Sequence, residues 1–148
     1  MKKIGILPIL ICLSCGDRNI IDNEDLKQSK LEVIESGDVT SYIKLTNFYD
    51  QEENYYELLP YSLRMIKLKE TGYHDFFDTY LKIKFGNELV YDSVQKLDKE
   101  EQIFLIHILT KGALNDDFEC RKILADFYKK GIVVAKDSII ADSLNTIK

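Results

Sequence analysis

Residues 116–142, DDFECRKILADFYKKGIVVAKDSIIAD, leave the backbone little choice: they spell a helix, a stop and a second helix. Cys120, Leu124 and Phe127 recur at i, i+4 and i+7, which places them on one buried stripe, while Arg121, Lys122, Asp126 and Lys129 face elsewhere. Asp116 and Asp117 stand where side-chain oxygens can cap free amides and where negative charge suits the positive end of the helix dipole. Lys130-Gly131 closes the helix, because a cation favours its carboxyl end and glycine takes the left-handed conformation of a stop. After an apolar crossing from Ile132 to Val134, Asp137 caps a second helix with the stripe Ile140, Leu144 and Ile147. Ala125 and Ala141 are small enough to let the two helices approach closely.

The preceding chain reads as weaker copies of this hairpin. From Gly37, GDVTSYIKLTNFY aligns without a gap on DDFECRKILADFY, with Leu45 at the Leu124 position and Phe48-Tyr49 at Phe127-Tyr128. From Gly72, GYHDFFDTYLKIK puts Tyr80 at the Leu45 position and Ile83 at Phe48. The equivalent residues 45, 80 and 124 are 35 and 44 apart, within the range of helical-hairpin arrays. Each copy needs a partner helix. For the first it is residues 54–70, with Leu59, Leu63 and Ile66 on a stripe and Pro60 as a kink or as the helix start. The second partner is residues 99–111, where Asp98 and Glu101 have the spacing of a capping box. Residues 103–109 are apolar nearly all round, which predicts a helix covered on both sides with His107 as a core histidine. The excess length of the second period falls in residues 86–96, GNELVYDSVQK, an insertion that a short extra helix would fit. A helix-forming run to Ser36, with Leu31 and Ile34 on one side and Gly37 at its end, is placed to cap the first repeat. The expectation is an all-α stack of about seven helices with a core through Leu45, Tyr80, Leu124 and Phe127.

The order small residue, Leu, Ala, Tyr, Gly, Val, Lys-Asp and Ala, here Cys120, Leu124, Ala125, Tyr128, Gly131, Val133, Lys136-Asp137 and Ala141, resembles the SEL-like repeat, a relative of the tetratricopeptide repeat. Alanine is more usual where Cys120 stands. The resemblance implies a short right-handed α-solenoid over residues 24–148, used for protein binding. In such a solenoid the first helices line an inner surface, where Ile43, Asp78 and Lys122 form one row and Asn47, Lys82 and Asp126 the next. Rows of mixed charge suit a particular protein surface better than a uniform polymer. The candidate binding residues are therefore Asn47, Asp78, Lys82, Lys122 and Asp126.

The first fifteen residues differ in kind. A basic Met1-Lys2-Lys3, an apolar run from Ile4 to Leu13 and the ending Leu13-Ser14-Cys15-Gly16 read as an export signal. The run is about half the roughly 20 residues that a membrane-spanning helix needs. A small residue before a cysteine at the end of a short signal resembles the lipobox of bacterial lipoproteins, although Cys12 and Leu13 depart from its usual pattern. The resemblance implies residues 1–14 as signal peptide, lipid on Cys15, residues 15–23 as a tether, and attachment to the outer membrane on its periplasmic side or at the surface. With Cys12 removed and Cys15 modified, Cys120 is the remaining thiol and reads as a small core residue.

Function classes narrow from here. A net charge of −5 without a Lys/Arg stripe disfavours nucleic acid. His74 and His107 lack companions at ligand spacing, so no metal site is indicated, and no phosphate loop or other cofactor motif occurs. The carboxylate pairs Glu52-Glu53, Glu100-Glu101 and Asp116-Asp117 sit at expected helix starts, where capping accounts for them better than glycoside hydrolysis. With no catalytic constellation and no small-molecule substrate evident, the chain reads as a non-enzymatic, membrane-anchored module for a protein partner, as scaffold or adaptor in the cell envelope. An immunity protein neutralising a secreted toxin is the alternative, and a cell-wall-acting enzyme is the competing class. Metabolic labelling with a fatty-acid analogue checks the anchor: wild type is expected to label and Cys15→Ser is not, and equal labelling of the two would remove it.

Overall fold

A computed structural model describes residues 22–87 and 90–146. Cys15, the signal peptide and most of the tether lie outside the described residues, as does Ile147. The described chain is all-α, with no strand. Seven α-helices follow in order: α1 (Asn23–Ser36), α2 (Val39–Gln51), α3 (Tyr55–Lys69), α4 (Tyr73–Phe85), α5 (Lys99–Leu114), α6 (Phe118–Lys130) and α7 (Ser138–Thr146). A short 3-10 helix, Tyr91–Lys96, occupies the insertion between α4 and α5. Helices pack on their neighbours in sequence, and α1 also touches α3 and α4 touches α6.

Aspartates set most of the helix starts. Asp22, Asp38, Asp98 and Asp117 each accept a backbone amide in the first turn of α1, α2, α5 and α6, and Asp98 with Glu101 completes a reciprocal capping box. Asp137 accepts the amides of Ile139 and Ile140 at the start of α7. Asp116 is not a cap. It sits at φ 62° and its carboxylate lies 2.9 Å from Arg121 Nη1. Arg121, expected to face away from the core, is 8% exposed; its stem is buried while its head reaches the exposed Asp116. Pro60 falls inside α3, and the carbonyl its missing amide leaves free belongs to Tyr56, exposed enough for water to satisfy it.

The core forms two clusters. Val33, Tyr42, Leu45, Tyr49, Leu58 and Met65 close the α1–α3 end, and Phe77, Leu81, Leu105, Leu109, Leu124 and Phe127 are central to the α4–α7 end. Leu59 and Ile66 on α3 pack against the second cluster, while Leu58 and Met65 belong to the first, so α3 joins the two. Its deeply buried stripe is Tyr55, Leu58, Ser62 and Met65, whereas Leu63, expected in the core, is exposed. In α1 the buried face is Ser29 and Val33 rather than Leu31 and Ile34, which are exposed. In α7 Ala141 is buried and Leu144, as expected, packs against the second cluster, whereas Ile140 is exposed. Tyr80 is half-buried, and Thr79 takes the buried place. The register moves by one because Gly72, with φ 79°, itself occupies the cap position of α4, as Asp38 and Asp117 do for α2 and α6.

Helix α5 departs furthest from expectation. Leu105, Ile108, Leu109 and Gly112 are buried, but Ile103 is 66% exposed and His107 is a surface residue, not a core histidine. Apolar composition all round does not require burial all round: α4 and α6 cover one side, and no helix among the described residues covers the other. The contact with α4 and α6 is very close at Gly112. A Cβ there would stand 2.5 Å from Cys120 Sγ and 2.8 Å from Tyr73 Cβ.

Polar groups join α4 to its neighbours. The Tyr42 hydroxyl lies 2.9 Å from both Ser62 Oγ and Asp75 Oδ2. It has one proton, which goes to the carboxylate, so the serine hydroxyl donates in the other bond. Burial and the facing Asp75 charge push the Tyr42 hydroxyl far above the usual tyrosine range. On the other side of α4, Glu101 accepts from Lys84 Nζ and Tyr80 Oη, both at 2.6 Å. These two bonds, with that from the Asp98 amide, hold its carboxyl down at about 2.

Two measurements test this packing. In urea unfolding, Leu124→Ala is expected to cost about 2–5 kcal/mol. Gly112→Ala is expected to cost about 1–3 kcal/mol by overpacking, against the gain of about 1 kcal/mol that alanine brings to an open helix site; a stabilised Gly112→Ala would refute the close contact. The second concerns pH. Because the Glu101 pKa is depressed in the folded state, its contribution is present above the usual 4.5 and is lost as pH falls towards about 2. The urea midpoint of Glu101→Gln should therefore lie below wild type at neutral pH, with the gap closing over that acid range.

Candidate functional site

The candidate residues of the first helices divide into three groups once α2, α4 and α6 are in place. Asp78 and Lys82 stand one turn apart on α4, so they face the same way. Lys82 Nζ lies 3.1 Å from Asp78 Oδ2 and 2.6 Å from Asp50 Oδ1 at the end of α2, and 5.1 Å from the centre of the Tyr55 ring at the start of α3. Burial alone would lower the Lys82 pKa, but the bonds to Asp50 and Asp78 outweigh it and hold the ammonium well above the usual lysine range. Asp78 and Lys82 are thus a clamp between successive hairpins, their side chains less than a fifth exposed. Removing the lysine would leave two carboxylates facing each other.

Asn47 stands apart on α2. It is exposed and follows Val39 and Ile43, both at least half exposed, at i, i+4 and i+8.

Lys122 and Asp126 are brought together, one turn apart on α6, in the lining of a groove of about 330 Å³. Glu119 and Lys129 line it from α6, Asn145 from α7 and Tyr91 from the insertion. Lys122 Nζ is 3.5 Å from Glu119 Oε2, and Lys130 Nζ is 2.7 Å from Asp126 Oδ2. These pairs are about half exposed, so they are cheap to exchange for a partner's groups. The groove therefore offers alternating charges on one wall and an aromatic ring on another.

Tyr91 is the residue that repeat alignment missed, since it belongs to no copy. Its ring packs on Phe77, with centroids 5.7 Å apart, and its hydroxyl lies 3.2 Å from His74 Nε2. Burial, with the Asp78 and Glu119 carboxylates nearby, pushes that hydroxyl up to about 12, so at neutral pH it is a hydrogen-bonding phenol. Val94 and Leu97 enter the core behind it, and Lys130 Nζ reaches Asp92 at 3.4 Å. The insertion is thereby fixed to α4 and α6. The one available signal was the surplus length itself, which named a segment without saying where it would lie.

Cys120 is fully buried, and burial together with the Asp117 carboxylate raises its thiol far above the usual range, which withholds the thiolate a nucleophile needs. Among the described residues no group of three or more His, Cys, Asp or Glu side chains is arranged to hold a metal ion. No helix among them is long and apolar enough to cross a membrane. No protein family, curated protein or solved structure matches the chain.

Proposed function

We propose that the protein is a lipid-anchored, non-enzymatic module of the cell envelope that binds another protein through the α6–α7 groove. The observation that carries this reading is the groove itself, where Lys122 pairs with Glu119 and Asp126 with Lys130, both half-exposed and exchangeable, beside Lys129 and Tyr91 in the lining. Support for a SEL-like solenoid comes from the last hairpin. Its left-handed stop at Gly131 and the buried Ala125 and Ala141 between its helices suit a hairpin whose partners stack in an array. Support for the anchor comes from the Ser14-Cys15 junction after a short apolar run. Scaffold or adaptor is the first reading; an immunity protein uses the same surface, and its target would be a secreted toxin.

Affinity capture of the lipidated protein from crosslinked cells tests the proposal. The wild-type protein is expected to recover a partner that the charge-reversed pair Lys122→Glu and Asp126→Lys does not. Asn47→Ala, away from the groove, should retain it. Capture of no partner, together with hydrolysis of purified cell wall by the pure protein, would replace the binding module by an enzyme. The identity of the partner separates an adaptor from an immunity protein.

A further inference from the structure

A second groove, of about 250 Å³, runs between α1 and α3 and is lined by Ile34, Tyr56, Glu57, Pro60, Tyr61 and Arg64. We propose that it docks a segment of another protein that carries an apolar side chain and a carboxylate about one helical turn apart. It shares no lining residue with the α6–α7 groove, so the two sites stand or fall separately.

The apolar half of the argument lies in exposure. Tyr56, 74% exposed, and Pro60 and Leu63 recur at i, i+4 and i+7 along one edge of α3, and Ile34, 46% exposed, lines the groove from α1. Such residues on two packed helices border a strip that water covers at a cost. Tyr61 in its lining stacks on the buried Tyr49, with rings 14° from parallel, so this wall is already packed on the core. A preformed surface spends little entropy on binding, and tyrosine and arginine are the residue types that most often dominate interface energies. At about 250 Å³ the groove is also below the usual size of a small-molecule pocket, roughly 300–1,000 Å³, but it suits one anchoring side chain.

The charged half rests on Arg64. Its Nε donates to the Ile34 carbonyl at 2.7 Å, which holds the guanidinium in place on the wall of the groove. Arg64 forms no ion pair among the described residues, in contrast to Arg121, which is tied to Asp116. Four N–H donors remain in a planar fork whose natural complement is a carboxylate. Lys67, exposed and one turn further along α3, adds positive charge at the same end, whereas Glu57 at the other end is already within 4.0 Å of Lys30. The groove is therefore largely apolar, with Arg64 at one end and Glu57, paired with Lys30, at the other. Pro60 and Arg64 are about 6 Å apart along the helix axis, a step that an extended peptide covers in two residues and a helix in four.

Selection of a random displayed peptide library on the immobilised full chain tests the site, followed by fluorescence anisotropy with synthetic versions of the enriched peptides. Enriched sequences are expected to carry Asp or Glu within four residues of a large apolar side chain. Their affinity should fall by about tenfold or more in Arg64→Gln and in Tyr56→Ala, recover in part in Arg64→Lys, and stay unchanged in Lys122→Glu. Tyr56→Ala removes an exposed ring and keeps the test valid if Arg64→Gln unfolds. Binders without a carboxylate, no enrichment over bare support, or affinities untouched by both substitutions would overturn the proposal and leave Arg64 as a cap for the end of α1. Self-association that Tyr56→Ala abolishes would also overturn it, with a second copy of the chain as the occupant.

Discussion

At Gly112 three helices meet with no room for a methyl group. The missing side chain lets α5 lie against Tyr73 of α4 and Cys120 of α6 at once, and the large residues of the second cluster, Phe77, Leu109 and Phe127, can then close around that point. Cys120 fits the same geometry, its small side chain lying against Gly112. Its thiol is sealed away from solvent, so the chemistry of the residue is spent on packing. Fixing α5 so tightly on one side also decides the fate of its other side, where Ile103 and His107 are left facing outward.

Polar joints do for the interval between the two clusters what apolar contact does within each. The bonds from Tyr42 to Asp75 and from Ser62 to Tyr42 pin α2, α3 and α4 together at a half-buried site, and the Asp50–Lys82–Asp78 cluster, with the Tyr55 ring, ties the same helices further along α4. Such groups add little net stability over a well-packed apolar core, yet losing one partner is costly because the others stay behind unpaired. They favour a single register between neighbouring hairpins. That use takes up Asp78 and Lys82, whose charges satisfy each other and Asp50. At the other end of the molecule Lys122 and Asp126 hold only half-exposed, easily exchanged pairs.

Much of the candidate site was legible because helical spacing is local. One turn separates Lys122 from Asp126 in any α6, so the sequence was enough to place them side by side. Tyr91 was not legible, since its position depends on how a chain segment without periodicity folds back over Phe77 and His74. Nor was Arg64, which lies on a helix edge like many surface arginines; its distinction is an unpaired guanidinium beside Tyr56 and Pro60, and pairing is a property of the assembled surface. The stripe of α1 and part of those of α3 and α7, at Leu63 and Ile140, were misplaced for a related reason. Several apolar residues on each helix could have made the buried face, and the choice was settled by which neighbour arrived.

By itself the sequence determined where helices begin and end, because caps act within a few residues: aspartates at 22, 38, 98, 117 and 137 and glycines at 37 and 131 satisfy or release backbone groups whatever the rest of the chain does. It also determined the all-α class, through apolar spacings that no strand could use. Only the tertiary structure decided which of the apolar faces is inside, how the register of α4 follows from a glycine in the cap position, and which charges are clamps and which remain free to bind. Those outcomes depend on distances between helices remote in the chain, such as the approach permitted at Gly112, and burial and charge pairing exist only once those distances are set.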